Sequence, residues 1–150
     1  ERFDLGTVGR ALHREAQMVN DSHDFRLEAE EACVFGDQGL IKQAGRILMD
    51  NAVKYTPEGG QITLSVISRD NKAKLTVQDT GIGIAPKAIP HIFERFYRAD
   101  DSRARATGGT GLGLSIAKWI AERHGGYLEV LSREGFGSKI SVVLPLSKKN

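Results

Sequence analysis

The sequence predicts an α/β protein: a two-layer α/β sandwich, with one mixed, mostly antiparallel sheet, its helices on one face, and a flexible lid interrupting the chain. Three observations lead there. Apolar residues recur at helical spacing in separate segments, and they alternate with polar residues in several short runs. Those runs are followed closely by turn residues, so neighbouring strands favour hairpins over right-handed βαβ crossovers.

Asp4 is placed to cap a first helix, in which Val8, Leu12, Ala16 and Val19 recur at helical spacing to about Asn20. "DSHD" breaks it. "FRLEA" and "ACVFGD" have the composition of two short strands, and Asp37 stands where a helix beginning near Gln38 needs its cap. That second helix is expected to reach about Tyr55 and to stop before Pro57. Ile62, Leu64 and Val66, then Ala73, Leu75 and Val77, alternate with polar residues on either side of "RDNK", which makes a hairpin. Pro86 suits the first turn of a further helix, whose regularity Pro90 limits. "YRADDSRARATGGT", residues 97–110, is polar, charged and aperiodic, and is read as the lid. Leu112 to His124 form a helix closed by Gly125-Gly126, and "YLEVLS" and "SKISVVLPL" supply two last strands before a frayed "KKN".

The 150 residues, 40% hydrophobic and 27% charged, suit one domain with an ordinary core over residues 1–150. The net charge of +2 is too small for a broad nucleic-acid or membrane surface, so no nucleic-acid partner and no membrane contact by this domain are expected. Cys33, the single cysteine, is read as a buried structural thiol, which suits a reducing compartment. The chain carries no apolar run near the roughly 20 residues of a membrane helix and no signal-peptide pattern, so a cytoplasmic location is expected. It begins at Glu1 rather than Met. That fits an excised piece, with any sensor, anchor or dimerisation element elsewhere.

Three stretches carry chemistry. On the second helix, at about 100° per residue, Ile47, Asn51, Lys54 and Tyr55 gather opposite the apolar arc of Ile41, Gly45, Leu48, Met49, Ala52 and Val53. An amide that suits Mg²⁺, an ammonium that suits phosphate and a phenol thus share a face, although the same face also fits an ordinary solvated helix side. In "LTVQDTGIGI", Asp79 continues the core-facing alternation of Leu75 and Val77. A buried carboxylate there needs internal donors or a ligand that donates, such as a base amine. Gly81 and Gly83 let a flat ring approach the backbone; a strand-ending Asx turn is the alternative. The third stretch, "GGTGLGLS", has P-loop glycines, yet Leu114 stands where a P-loop has its lysine and no strand precedes the loop. Gly109, Gly111 and Gly113 would instead expose backbone N–H groups at a helix start, which bind anions without a side-chain cation; a flexible connector has the same composition.

Taken together, these stretches resemble the catalytic ATP-binding domain of bacterial two-component sensor histidine kinases. That family lies within the GHKL, or Bergerat-fold, group that also contains gyrase, the heat-shock ATPase chaperones and the mismatch-repair ATPases. "DNAVKYTP" resembles the asparagine box, "DTGIGI" the first glycine box, "IFERFYR" the phenylalanine box, "GGTGLGLSIA" the second glycine box and "GFGS" a last glycine motif, in that order from about Phe3 to Leu146. The resemblance implies ATP and Mg²⁺ as cofactors. Asn51 would ligate the metal, Lys54 would meet the phosphates, Tyr55 would pack by the adenine, and Asp79 would accept from the adenine amine. Gly81, Gly83, Ile84 and Phe96 would belong to the base pocket, Gly109, Thr110, Gly111, Leu112 and Gly113 to the phosphate end beneath the ATP lid, and Arg98 to the γ-phosphate.

The resemblance also implies a reaction: γ-phosphoryl transfer to a histidine on a separate dimerisation domain, absent from this chain, with a response regulator as indirect partner. His13, His23, His91 and His124 do not sit in a phosphoacceptor-like setting and are read as surface or structural. Ile47 stands where the family often has a first asparagine and where the ATPase branches carry a glutamate base, so activated-water hydrolysis by that route is disfavoured. A nucleotide-binding regulatory module without kinase activity, or a GHKL ATPase, is the alternative.

Overall fold

The computed structural model describes residues 1–83 and 113–147. In chain order it contains β1 (Arg2–Asp4), α1 (Leu5–Val19), β2 (Asp24–Ala29), β3 (Cys33–Phe35), α2 (Gln38–Tyr55), β4 (Gln61–Arg69), β5 (Lys72–Asp79), α3 (Gly113–Arg123), β6 (Tyr127–Arg133) and β7 (Gly137–Pro145). The helix expected after Pro86 and the lid at 97–110 lie outside the described residues.

Local chemistry sets the helix ends. Asp4 Oδ1 accepts from the Gly6 N–H at 2.9 Å and Asp37 Oδ1 from the Leu40 N–H at 3.1 Å, each satisfying a donor that the first turn leaves open. Asp4 also takes the Ala32 N–H at 2.9 Å, tying the start of α1 to the strand that follows β2. Burial pushes its carboxyl up, but the N–H groups of Ala32 and Gly6, with Thr7 and Arg10, hold it below the ordinary value.

Among the described residues five strands form one sheet in the order β2-β4-β5-β7-β6; β2 runs parallel to β4, and the pairs β4-β5, β5-β7 and β7-β6 are antiparallel. Asp70 and Asn71, at φ 55° and 63°, make the two-residue turn between β4 and β5; both are residue types that tolerate left-handed backbone. Two pairings depart from the hairpin expectation. The strands β2 and β3 do not pair with each other: β2 joins β4 in parallel across α2, while β3 pairs with β1 in a separate two-stranded ribbon. Leu5 N–H, donating to Ala32 O at 2.8 Å, holds this ribbon against α1.

One face of the sheet, through Ile62, Leu64, Val66, Leu75, Val77, Ile140, Val142 and Leu144, packs against Leu5, Val8 and Leu12 of α1, Ile41, Ala44 and Leu48 of α2, and Ala117 and Ile120 of α3. The three helices among the described residues therefore lie on one side, as the sandwich requires. Lateral straps protect the other face. Lys74 Nζ meets Glu129 Oε1 at 3.0 Å and Lys72 Nζ meets the Tyr127 hydroxyl at 3.2 Å. Each pair spans β5 to β6 and so crosses β7, where Val143 is only 1% exposed. Cys33 is half-buried and unoxidised, and its carbonyl accepts from the Ser147 N–H.

Candidate functional site

The last turns of α2, the end of β5, the first turn of α3 and the β6–β7 turn converge at one end of the sheet. Asp79 is the centre of this region. It closes β5 on the helix-facing side, opposite Ile62 of β4 and Ser138 of β7, and is 7% exposed. The Gly81 N–H at 2.8 Å and the Ser138 N–H at 3.3 Å both donate to Oδ1. Among the described residues no donor meets Oδ2. Burial raises its carboxyl above the ordinary value of 3.8, and the two backbone hydrogen bonds only partly counter that. Among the described residues, then, one oxygen is committed to the backbone and the other meets no donor.

The "DTG" stretch is pressed onto α2. Ile82 N–H donates to Tyr55 O at 3.2 Å, and a Cβ on Gly81 would lie 2.2 Å from that same carbonyl oxygen, so no larger residue fits. Thr80 closes the strand by accepting from the Gln61 N–H at 3.1 Å through Oγ1. On the far side, the Gly135 N–H donates to Ile82 O at 2.7 Å, which fastens the first glycine box to the β6–β7 turn.

The helix α2 meets this convergence through Ile47, against Gly113, and through the Tyr55 carbonyl, against Gly81 and Ile82. Asn51 and Tyr55 are half-buried, and Lys54 is exposed in the last turn, where its charge complements the helix C-terminus. Ile47 is not solvated with them. It is half-buried, packs against the core, and its Cγ2 stands 3.2 Å from where a Cβ on Gly113 would be. The start of α3 therefore seats on α2 one turn before Asn51, and Leu114 packs against the core as the apolar anchor of that turn.

Of the residues singled out in the sequence, Asn51, Lys54, Tyr55, Asp79, Gly81, Gly83 and Gly113 lie at this end of the molecule. Ile84, Phe96, Arg98, Gly109, Thr110, Gly111 and Leu112 lie outside the described residues. Sequence reasoning missed two contributors. Ser138 gives its backbone N–H to Asp79, a partnership visible only once β5 and β7 are in register. His23, in "DSHD", places Nε2 2.8 Å from Thr56 O and so caps the carbonyl end of α2 from 33 residues away. Beside it, Thr56 Oγ1 is buried without a hydrogen-bond partner among the described residues.

Comparison with known proteins places this geometry. Residues 36–148 match the family described as histidine kinase-, DNA gyrase B-, and HSP90-like ATPase. The chain is 46% identical over 150 residues to the sensor histidine kinase YkoH of Bacillus subtilis, covering 99% of this chain and 32% of that protein. It thus spans about a third of the length of the curated relatives it matches. Among solved structures, the mycobacterial sensor histidine kinase MprB superposes with a TM-score of 0.88 at 30% identity, over 99% of this chain and all of that one. Full-length ShkA in complex with AMPPNP superposes with a TM-score of 0.84 at 25% identity, over 99% of this chain and 31% of that one. The chain belongs to the histidine kinase-, DNA gyrase B- and HSP90-like ATPase family, and its relatives within that family are sensor histidine kinases.

Proposed function

We propose that this chain binds Mg-ATP and positions its γ-phosphoryl group for transfer to a histidine on a separate dimerisation domain, as the nucleotide-binding part of a two-component kinase. The observation that carries the reading is Asp79: a buried carboxylate whose backbone donors, among the described residues, both meet Oδ1, which leaves Oδ2 as the acceptor we assign to the exocyclic amine of adenine. The AMPPNP complex of ShkA supports an ATP-type ligand for this fold.

The other roles are those that the resemblance of the sequence boxes implies. Tyr55 packs by the base, whose pocket Gly81, Gly83, Ile84 and Phe96 complete, and Lys54 offers a point charge to the phosphates. By the resemblance of their sequence box, Gly109, Thr110, Gly111, Leu112 and Gly113 would offer backbone N–H groups to the phosphates, and Arg98 would meet the γ-phosphate. Among the described residues no group of three His, Cys, Asp or Glu side chains could hold a metal alone. That fits Mg²⁺, which keeps most of its water and needs little beyond one amide oxygen, here from Asn51, and the phosphates themselves. When bound, the ion supplies charge neutralisation at the phosphates.

In the transfer, the acceptor imidazole nitrogen forms a bond to γ-phosphorus while the bond to the β,γ-bridging oxygen breaks. ADP leaves, and the ring proton goes to solvent. The domain contributes orientation and charge stabilisation rather than a base. Ile47, seated against Gly113, has no proton acceptor to offer water, which favours transfer to imidazole over hydrolysis by that route. Among the described residues, His13 is bonded to Phe25 O, His23 to Thr56 O and Asn20, and His124 to Ile120 O and the Asp37 N–H, all as structural groups. Titration with ATP, with and without Mg²⁺, tests the binding half: Mg²⁺-dependent binding is expected, and no ATP binding under either condition overturns it.

A further inference from the structure

The hydrogen bonds behind Asp79 form a chain that runs through a single peptide unit. Ser132 Oγ donates to Gly137 O at 3.2 Å, and Ser138 N–H, the other end of that same peptide, donates to Asp79 Oδ1 at 3.3 Å. The hydroxyls of Ser132 and Ser138 also meet at 3.0 Å, where either can donate. The series runs from Ser132 Oγ to the Gly137 carbonyl and across the amide to the carboxylate. Each bond in such a series polarises the next.

The peptide is held in a conformation that only glycine supplies. Gly137 has φ 137°, and a Cβ there would stand 2.1 Å from Asp79 O. Gly137 and Ser138 open β7, paired with Arg133 and Ser132 of β6, and the hydroxyl of Ser132 adds a bond at the carbonyl end of their peptide.

We propose that Ser132 is a positioning residue for base recognition: through the Gly137–Ser138 peptide it fixes Asp79 Oδ1 and so aims Oδ2 at the exocyclic amine. The inference rests on the reading of Asp79 as the amine acceptor. A ligand that lacks the amine therefore separates positioning from general support of the pocket.

The test uses ATP and purine riboside triphosphate, which carries hydrogen in place of the amine, titrated into the wild-type chain and into Ser132→Ala, Ser132→Thr and Asp79→Asn. Ser132→Ala is expected to weaken ATP about fivefold, near the worth of one ordinary hydrogen bond, and the amine-free analogue by less than about twofold. Ser132→Thr keeps the hydroxyl and is expected to keep the wild-type preference. Equal weakening of both ligands, unchanged ATP affinity in Ser132→Ala, or a threonine variant as poor as the alanine one would overturn the proposal. Asp79→Asn locates the fault: if it leaves the preference for the amine intact, the reading of Asp79 has failed. If it abolishes that preference while Ser132→Ala does not, only the role of Ser132 has failed. Because both ligands are titrated into the same folded sample, a general loss of stability does not change their ratio.

Discussion

Ile47 and Gly113 touch across the α2–α3 interface, the isoleucine Cγ2 lying 3.2 Å from the place a glycine Cβ would occupy. This contact brings the start of the second glycine box to the asparagine-bearing face of α2, and it does so with a methyl group rather than a polar one. Ile47→Ala is therefore expected to lower the stability of the chain by roughly 1–2 kcal/mol, less than the 2–5 of a fully buried site because Ile47 is half-buried. Urea unfolding measures it. If Gly113 belongs to the phosphate end as proposed, a loss of ATP affinity should accompany it, because the start of α3 loses its seat.

Asp79→Asn separates stability from function. Burial raises the Asp79 carboxyl in the folded chain above its ordinary 3.8, so folding favours the protonated form. Its contribution is fully present below the ordinary value and is lost as pH rises through the raised one, which leaves the charged carboxylate unfavourable at neutral pH. The asparagine keeps an oxygen for the N–H groups of Gly81 and Ser138 and carries no charge. Thermal melts without nucleotide should show the variant at least as stable as wild type at pH 7, with the difference shrinking toward pH 4. ATP affinity should fall by at least about 1–3 kcal/mol, because an amide N–H would then face the base amine.

The His23 clasp reaches the site from outside it. Three hydrogen bonds zip the turn before β2 to the turn after α2: His23 Nε2 to Thr56 O, the Gly59 N–H to Ser22 O at 2.7 Å, and the Asp24 N–H to Gly60 O at 2.9 Å. Removing the first by His23→Ala should fray the last turn of α2, which carries Asn51, Lys54 and Tyr55. Amide exchange over residues 52–56 is expected to quicken, and ATP binding to weaken about threefold to tenfold. Unchanged exchange in that turn would mean the cap is idle.

His124 secures the opposite end of the same helix. Its Nε2 accepts the Asp37 N–H at 3.0 Å and its Nδ1–H donates to Ile120 O at 2.7 Å, so a single neutral tautomer serves both. The ring also packs on Gly36, where a Cβ would lie 2.1 Å from it. His124→Ala should cost about 1–3 kcal/mol in urea unfolding, the worth of two hydrogen bonds, and leave ATP affinity unchanged because the site is at the other end of α2.

What was legible in the sequence was what local chemistry decides. The caps at Asp4 and Asp37, the turn at Asp70-Asn71 and the inward parity of Asp79 each depend on a few adjacent residues, and each is found where the pattern put it. What was not legible depends on residues far apart. The three-residue β1 is too short to show alternation, and its pairing with β3 joins residues about 30 apart. The parallel register of β2 on β4 is set by α2 between them rather than by a turn. Likewise, nothing around Ser132 or His23 marks them as neighbours of Asp79 and Thr56; the sheet register and the closing of two turns do.

The measurement that tests the account most directly is label transfer. The chain is mixed with γ-labelled ATP, Mg²⁺ and the histidine-bearing dimerisation domain that the proposed function calls for, and the products are resolved before and after mild acid. Acid-labile label on the dimerisation domain, abolished by replacing its histidine, is the predicted result. Tight ATP binding with no transfer, or steady phosphate release by the chain alone at many turnovers per minute, would contradict it.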